Sequence, residues 1–257
     1  MLRQITYRQD ISNVNNKATG QIDIAEIAAM SLPEFYQFRN KIVGLRKNRR
    51  YDTALFKAGT AIVPGNAVAM FTKGVGENDQ WANDAADTYK KTRVHTNMPK
   101  GGKFQPDDLV IIDRVEAVIG FNAGGPTTSA DGIVSNPLTA AFPTNMDVFE
   151  LLDVVNRQFY IEFVRGERQT VAEGRPQDFP QITGKSGAGG SSATATSMFS
   201  QNIGFTQDNP LVKPQVIEGD GSFQLNLEPL ADTMTLTGRD IRIELRLHTW
   251  EFLQQYP

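Results

Sequence analysis

No cysteine occurs among the 257 residues, which excludes disulfides, thiolate metal sites and thiol catalysis. Histidine is nearly as scarce. His95 and His248 are the only two, and neither has a second histidine at ligand spacing, so a histidine-built metal site is not expected. No apolar run approaches the roughly 20 residues that cross a bilayer as a helix. Met1–Gln9 (MLRQITYRQ) lacks the apolar stretch of a secretion signal. These absences lead to the expectation of a soluble chain without a targeting segment, metal or cofactor.

Nucleotide-binding signatures are also missing. Gly184, Lys185 and Ser186 look like the end of a phosphate-cradling loop, but the position that should hold its first glycine is Phe179. Gly74 and Gly76 lack the third glycine of a dinucleotide fingerprint. Asp107, Asp108 and Asp113 gather near the start of a strand, where carboxylates usually form turns. A hydrolase stays open only through residues far apart in sequence, and the expectation is a protein that is not an enzyme.

What the chain does contain is alternation. Phe223, Leu225 and Leu227 share one face of Ser222–Glu228, and Ile241, Ile243, Leu245 and Leu247 share one face of Asp240–Phe252. A period of two over such lengths marks strands buried on one side. Further strands are expected at Asp108–Phe121, Asp147–Leu152, Arg157–Arg165, 167–172 and Met198–Phe205, and strands or extended wall segments within Tyr51–Met70. Residues 73–105, 122–145 and 174–197, rich in small and polar residues, read as loops. Roughly eight strands after residue 105 match an eight-stranded antiparallel jelly roll.

One helix is expected. Ser31 with Glu34, and Pro33 in the first turn, form a capping-box start. Leu32, Phe35, Phe38, Ile42 and Leu45 follow at spacings of three and four. The helix is expected to end in the basic run Arg46, Lys47, Arg49 and Arg50, where cations favour the helix dipole or contact phosphate of nucleic acid or lipid head groups. The chain therefore divides into an N-terminal arm and amphipathic helix (1–50), an extended wall segment with loops (51–104), and a jelly-roll domain (105–257). A single jelly roll is preferred, and a double one is the alternative. Charge divides too: residues 1–100 hold 15 basic and 9 acidic side chains, residues 101–257 hold 11 and 20.

Phe71, Gly74 and Gly76, then Thr96, Asn97 and Met98, then Gly101 and Gly102, then the strand from Leu109 follow one another in an order that resembles the jelly-roll major capsid proteins of tailless icosahedral bacteriophages. A small-residue loop after Pro180 and the closing strands within Pro214–Trp250 are similar as well. The resemblance implies a structural subunit of an icosahedral capsid, present in the virion and assembled in the host cytoplasm. Its partners would be other copies of itself, minor capsid or spike proteins, and, through the basic N-terminal region, packaged nucleic acid or inner-membrane lipid. It implies no small-molecule substrate. The competing expectation is a carbohydrate- or receptor-binding β-sandwich of a viral spike or fibre, which predicts aromatic platforms on one loop face; Trp81 and Trp250 are too far apart in sequence to show one.

Overall fold

Alternation in the last third of the chain organises the molecule. In the computed structural model, which describes residues 4–8, 19–57, 59–104, 108–121, 157–166, 169–179, 185–189, 197–201, 211–218, 221–230, 234–235 and 240–252, the chain is mainly β with antiparallel sheets. It begins with β1 (Gln4–Arg8), β2 (Thr19–Asp23), α1 (Ile24–Ala29) and α2 (Leu32–Phe38). Then come β3 (Leu45–Phe56), β4 (Ala61–Ile62), β5 (Val68–Met70), β6 (Asn78–Trp81) and β7 (Asp84–Lys90). The long β8 (Leu109–Phe121) is followed by β9 (Phe159–Arg165), β10 (Gln169–Gly174), β11 (Lys185–Gly189) and β12 (Ser197–Gln201). The chain closes with β13 (Gln215–Glu218), β14 (Phe223–Pro229), β15 (Met234–Thr235) and β16 (Ile241–Phe252).

Two four-stranded sheets carry the core. One runs β13–β8–β16–β3 and the other β10–β9–β14–β5. The inward residues of β16 (Ile241, Ile243, Leu245, Leu247) and of β14 (Phe223, Leu225, Leu227) meet in one apolar cluster with Phe56, Met70, Phe159, Ile161 and Phe163. Phe56 and Phe159 cross the gap edge to face, with centroids 5.2 Å apart. Each fully buried side chain of this kind contributes about 1.5–3 kcal/mol. Among the described residues, no helix is long and apolar enough to cross a membrane.

The boundary expected at 104/105 runs through both sheets. β3 pairs along its whole length with β16, from Leu45↔Phe252 to Ile241↔Phe56, and β5 pairs with β14. The four basic residues hide this in the sequence, because they occupy the first half of β3 and leave only Ala54 and Phe56 as inward apolar positions. The expected helix is correspondingly shorter. Its start is as read, with Ser31 and Glu34 exchanging hydrogen bonds in a capping box, but α2 stops at Phe38 and a 3-10 turn covers Arg39–Lys41. Ile42 bridges to Tyr7, and Gly44 turns the chain at φ +85° into β3, a conformation that glycine adopts without strain.

Elsewhere the expected arm is a β1–β2 hairpin followed by α1. With α2 it buries Ile5, Ile22, Ile27 and Phe35 against Leu109, Ile111 and Val216, on the outer face of the first sheet. The expected loop 73–105 contains the β6–β7 hairpin. The expected loop 174–197 contains β11, which pairs with β12. The loop 122–145 and the strand Asp147–Leu152 lie outside the described residues.

A bulge docks the N-terminal elements. Where β8 passes β16 the register shifts between His248 and Thr249, leaving Asp113 as the extra residue. Its carboxylate accepts from Trp250 Nε1 at 2.9 Å and from Arg39 Nη1 at 3.2 Å. The Arg39 guanidinium lies over the Trp250 and Tyr36 rings, 4.5 and 4.6 Å from their centroids. Asp113 is thus a bulge residue rather than a turn former; Asp107 lies outside the described residues.

Candidate assembly surfaces

Strand alternation splits the basic run. Arg46 and Arg50 stand opposite Glu251 and Leu247 on one face of the sheet, Lys47 and Arg49 opposite Trp250 and His248 on the other. Arg50 is held in place. Its Nε and Nη2 each donate at 2.7 Å to a different oxygen of Glu251, which is 1% exposed. Asn48 Nδ2 and Thr249 Oγ1 donate to the same carboxylate. Burial raises the Glu251 carboxyl, but these bonds and the Arg50 charge outweigh burial and hold it below the usual glutamate value. Arg46, Lys47 and Arg49 are exposed and form no ion pair among the described residues.

The glycine-containing segments meet in a clamp at one end of the sandwich. Val75 N donates to Met98 O at 3.0 Å, and Gly102 N donates to Phe71 O. Asn97 caps the outer edge of β3, its Oδ1 accepting from Tyr51 N at 2.9 Å while its Nδ2 donates to Arg49 O at 2.7 Å. Thr96 Oγ1 donates to Tyr51 O. One edge of the first sheet is thereby covered, which removes part of the pairing hazard of an open strand. Gly102 O accepts from Phe223 N, so the clamp also reaches the second sheet.

A buried ion pair anchors the clamp. Lys91 Nζ lies 2.6 Å from Asp52 Oδ1 and 3.0 Å from Asp79 Oδ2. The other Asp52 oxygen accepts from Phe71 N at 2.6 Å. Burial pushes the Asp52 carboxyl up, against the Lys91 charge and the Phe71 and Thr53 amides. Phe71 itself has φ +66°, a strained conformation for a bulky side chain; its complete burial against Phe223 offsets that strain.

Across the outer face of the first sheet runs a ladder of charge. Arg242 and Arg246 both bond Glu244, and His248 Nε2 lies 3.2 Å from Glu116 Oε2. Burial raises the Glu116 carboxyl, but the hydrogen bond with His248 and the charges of His248, Arg246 and Arg49 outweigh it, leaving a value below the ordinary one. A carboxyl depressed in the folded state stabilises above its unfolded value of about 4.3 and loses that contribution as pH falls through the folded value. The melting temperature should therefore fall on acidification below about pH 4.3, and Glu116→Gln should make the fall shallower. Identical melting curves for the two proteins across that range would rule out this role for Glu116.

The outer face of the second sheet is acidic. Glu162, Glu173 and Glu228 surround Tyr160, whose hydroxyl is pushed up to about 12 by burial and then by its bond to Glu173 and the three charges. Glu162 accepts from Asn226 and Thr170.

Other sequence candidates resolve into structural roles. His95 is buried, its Nδ1 bonded by Thr92 N and its ring 5.2 Å from Tyr89. Lys185 and Ser186 lie in β11, paired with Gln201 and Ser200. Trp81 is buried with Leu55 and Tyr89, and Trp250 sits under Arg39, so neither ring offers an open platform. Among the described residues no three His, Asp or Glu side chains group to hold a metal. No family model, curated protein or solved structure matches the chain. Sequence reading missed Glu251 and the acidic cluster and took Asp113 for a turn former, because each gains its role from a strand distant in sequence.

Proposed function

We propose that the protein is a structural subunit of an icosahedral virus capsid, built on a single jelly roll. The observation that carries this reading is strand order. Taken in chain order, the eight strands of the two large sheets are β3, β5, β8, β9, β10, β13, β14 and β16. The first sheet arranges them sixth, third, eighth, first; the second arranges them fifth, fourth, seventh, second. Two interlocked Greek keys give this order, and an eight-stranded jelly roll is its usual form, frequent in viral coats.

The clamp supports the reading, since the residues that carry the resemblance to tailless-phage major capsid proteins pack on one another rather than scatter. The occupied tryptophans favour a coat subunit over a sugar-binding spike or fibre domain. In this role the partners are further copies of the chain, and the subunit works by assembling rather than by catalysis. Negative-stain electron microscopy with light scattering tests it. Uniform shells or large symmetric rings are the expected result; a subunit that remains monomeric or trimeric under every assembly condition would put the spike reading in its place.

A further inference from the structure

The outer faces of the two large sheets carry opposite charge. On the first, apart from the bulge residue Asp113, whose carboxylate Arg39 and Trp250 occupy, Lys47, Arg49, Arg114, Arg242 and Arg246 stand with only two carboxylates, Glu116 and Glu244, in the rows between them. Those carboxylates engage Arg242, Arg246 and His248. Lys47, Arg49 and Arg114 form no ion pair among the described residues, although Arg49 and Arg114 flank His248 in one row across three strands. On the second face, Glu162 and Glu173 lie side by side on paired strands, with Glu228 opposite Tyr160. No lysine or arginine stands in the rows formed by Tyr160, Glu162, Glu173, Asn226 and Glu228. Like charges set together across strands are unfavourable within one subunit, and each face supplies what the other lacks.

We propose that the acidic outer face of one copy docks on the basic outer face of the next, with Glu173 and Glu228 meeting Lys47 and Arg49. The contact is heterologous, so it repeats head to tail and closes where its rotation permits a ring. It deepens the capsid reading and rests on it for closure, while the contact itself needs only two copies. Phosphate suits these cations less well. Alternation sends Arg46 and Arg50 to the other face of β3, so the run does not form one stripe along a nucleic-acid or lipid surface. The unpaired cations instead spread across strands, as the carboxylates on the opposite face do.

Two double variants decide the matter. Glu173→Lys with Glu228→Lys makes both faces basic; Lys47→Glu with Arg49→Glu makes the first face acidic like the second. Each is folded by circular dichroism in the expected result, and each alone is monomeric by light scattering. An equimolar mixture forms alternating complexes, at least about 100-fold tighter than either variant's self-association, and high salt dissolves them. Variants that assemble as the parent does, or a mixture that does not pair, overturn the inference. If the parent forms shells and the variants do also, the capsid reading survives and this interface does not. If the parent forms small head-to-tail oligomers but no shell and the mixture pairs, the interface survives and the capsid reading loses support; a parent that stays monomeric overturns the interface. A Lys47→Glu, Arg49→Glu protein that loses binding to a short oligonucleotide or to anionic vesicles, yet self-associates normally, assigns the cations to phosphate and overturns the proposal.

Discussion

Gly101→Ala is expected to cost about 3 kcal/mol or more of stability, as overpacking against backbone does at its upper end. A Cβ at this position would lie 1.8 Å from Thr72 O, 2.3 Å from Thr72 C and 2.7 Å from Lys73 N. These are backbone atoms, so no flexible side chain can swing aside. The 71–76 and 96–102 segments would have to part, and the Val75–Met98 and Gly102–Phe71 hydrogen bonds would be lost. Each such bond is worth about 1 kcal/mol. Met98 and Phe71, both fully buried, would be opened to water as well. Gly65→Ala is the control. Gly65 has φ +78° and nothing within 4 Å of its added Cβ, so it carries the conformational penalty alone, about 1–2 kcal/mol. Urea unfolding of both variants separates the two mechanisms; equal losses would mean that the segments are not packed at Gly101.

The clamp also indicates what a linear reading can and cannot reach. Phe71, Gly74, Gly76, Thr96, Asn97, Met98, Gly101 and Gly102 were legible as an ordered pattern, but not as a contact. Close approach of two backbones leaves glycine in the sequence without naming the partner. The strands β14 and β16 were legible because one face of each is buried and their alternation is unbroken. β3 was not, since its charged first half is paired on both the sheet face and the edge through residues near 97 and 251. Spacings of three and four at Phe38, Ile42 and Leu45 suggested a longer helix, yet pairing with Tyr7 and with β16 took those residues into extended structure. Tertiary pairing overrides a weak helical preference at that point. The basic run was legible as charge, but its division between two faces followed only once it was known to be a strand.

That division leads to a second large effect. Arg50→Ala should destabilise the fold strongly, whereas Lys47→Ala and Arg49→Ala should leave it nearly unchanged. Removing Arg50 strands the Glu251 carboxylate, 1% exposed, with only Asn48 and Thr249 as partners. Breaking one side of a buried ion pair costs about 3–5 kcal/mol, while exposed charges contribute within about 0.5 kcal/mol. Glu251→Ala should cost a similar amount, because it strands Arg50, whose side chain is 15% exposed. The double variant Arg50→Met, Glu251→Leu should recover most of the loss, since neither unpaired charge remains buried. A double-mutant cycle measured by chemical denaturation gives the coupling directly. Coupling near zero would show that Arg50 is not committed to Glu251 and would return it to the exposed cations of its run. Strong coupling instead makes Arg50 the residue that fixes the end of β3 against β16, and so sets the plane on which Lys47 and Arg49 are displayed.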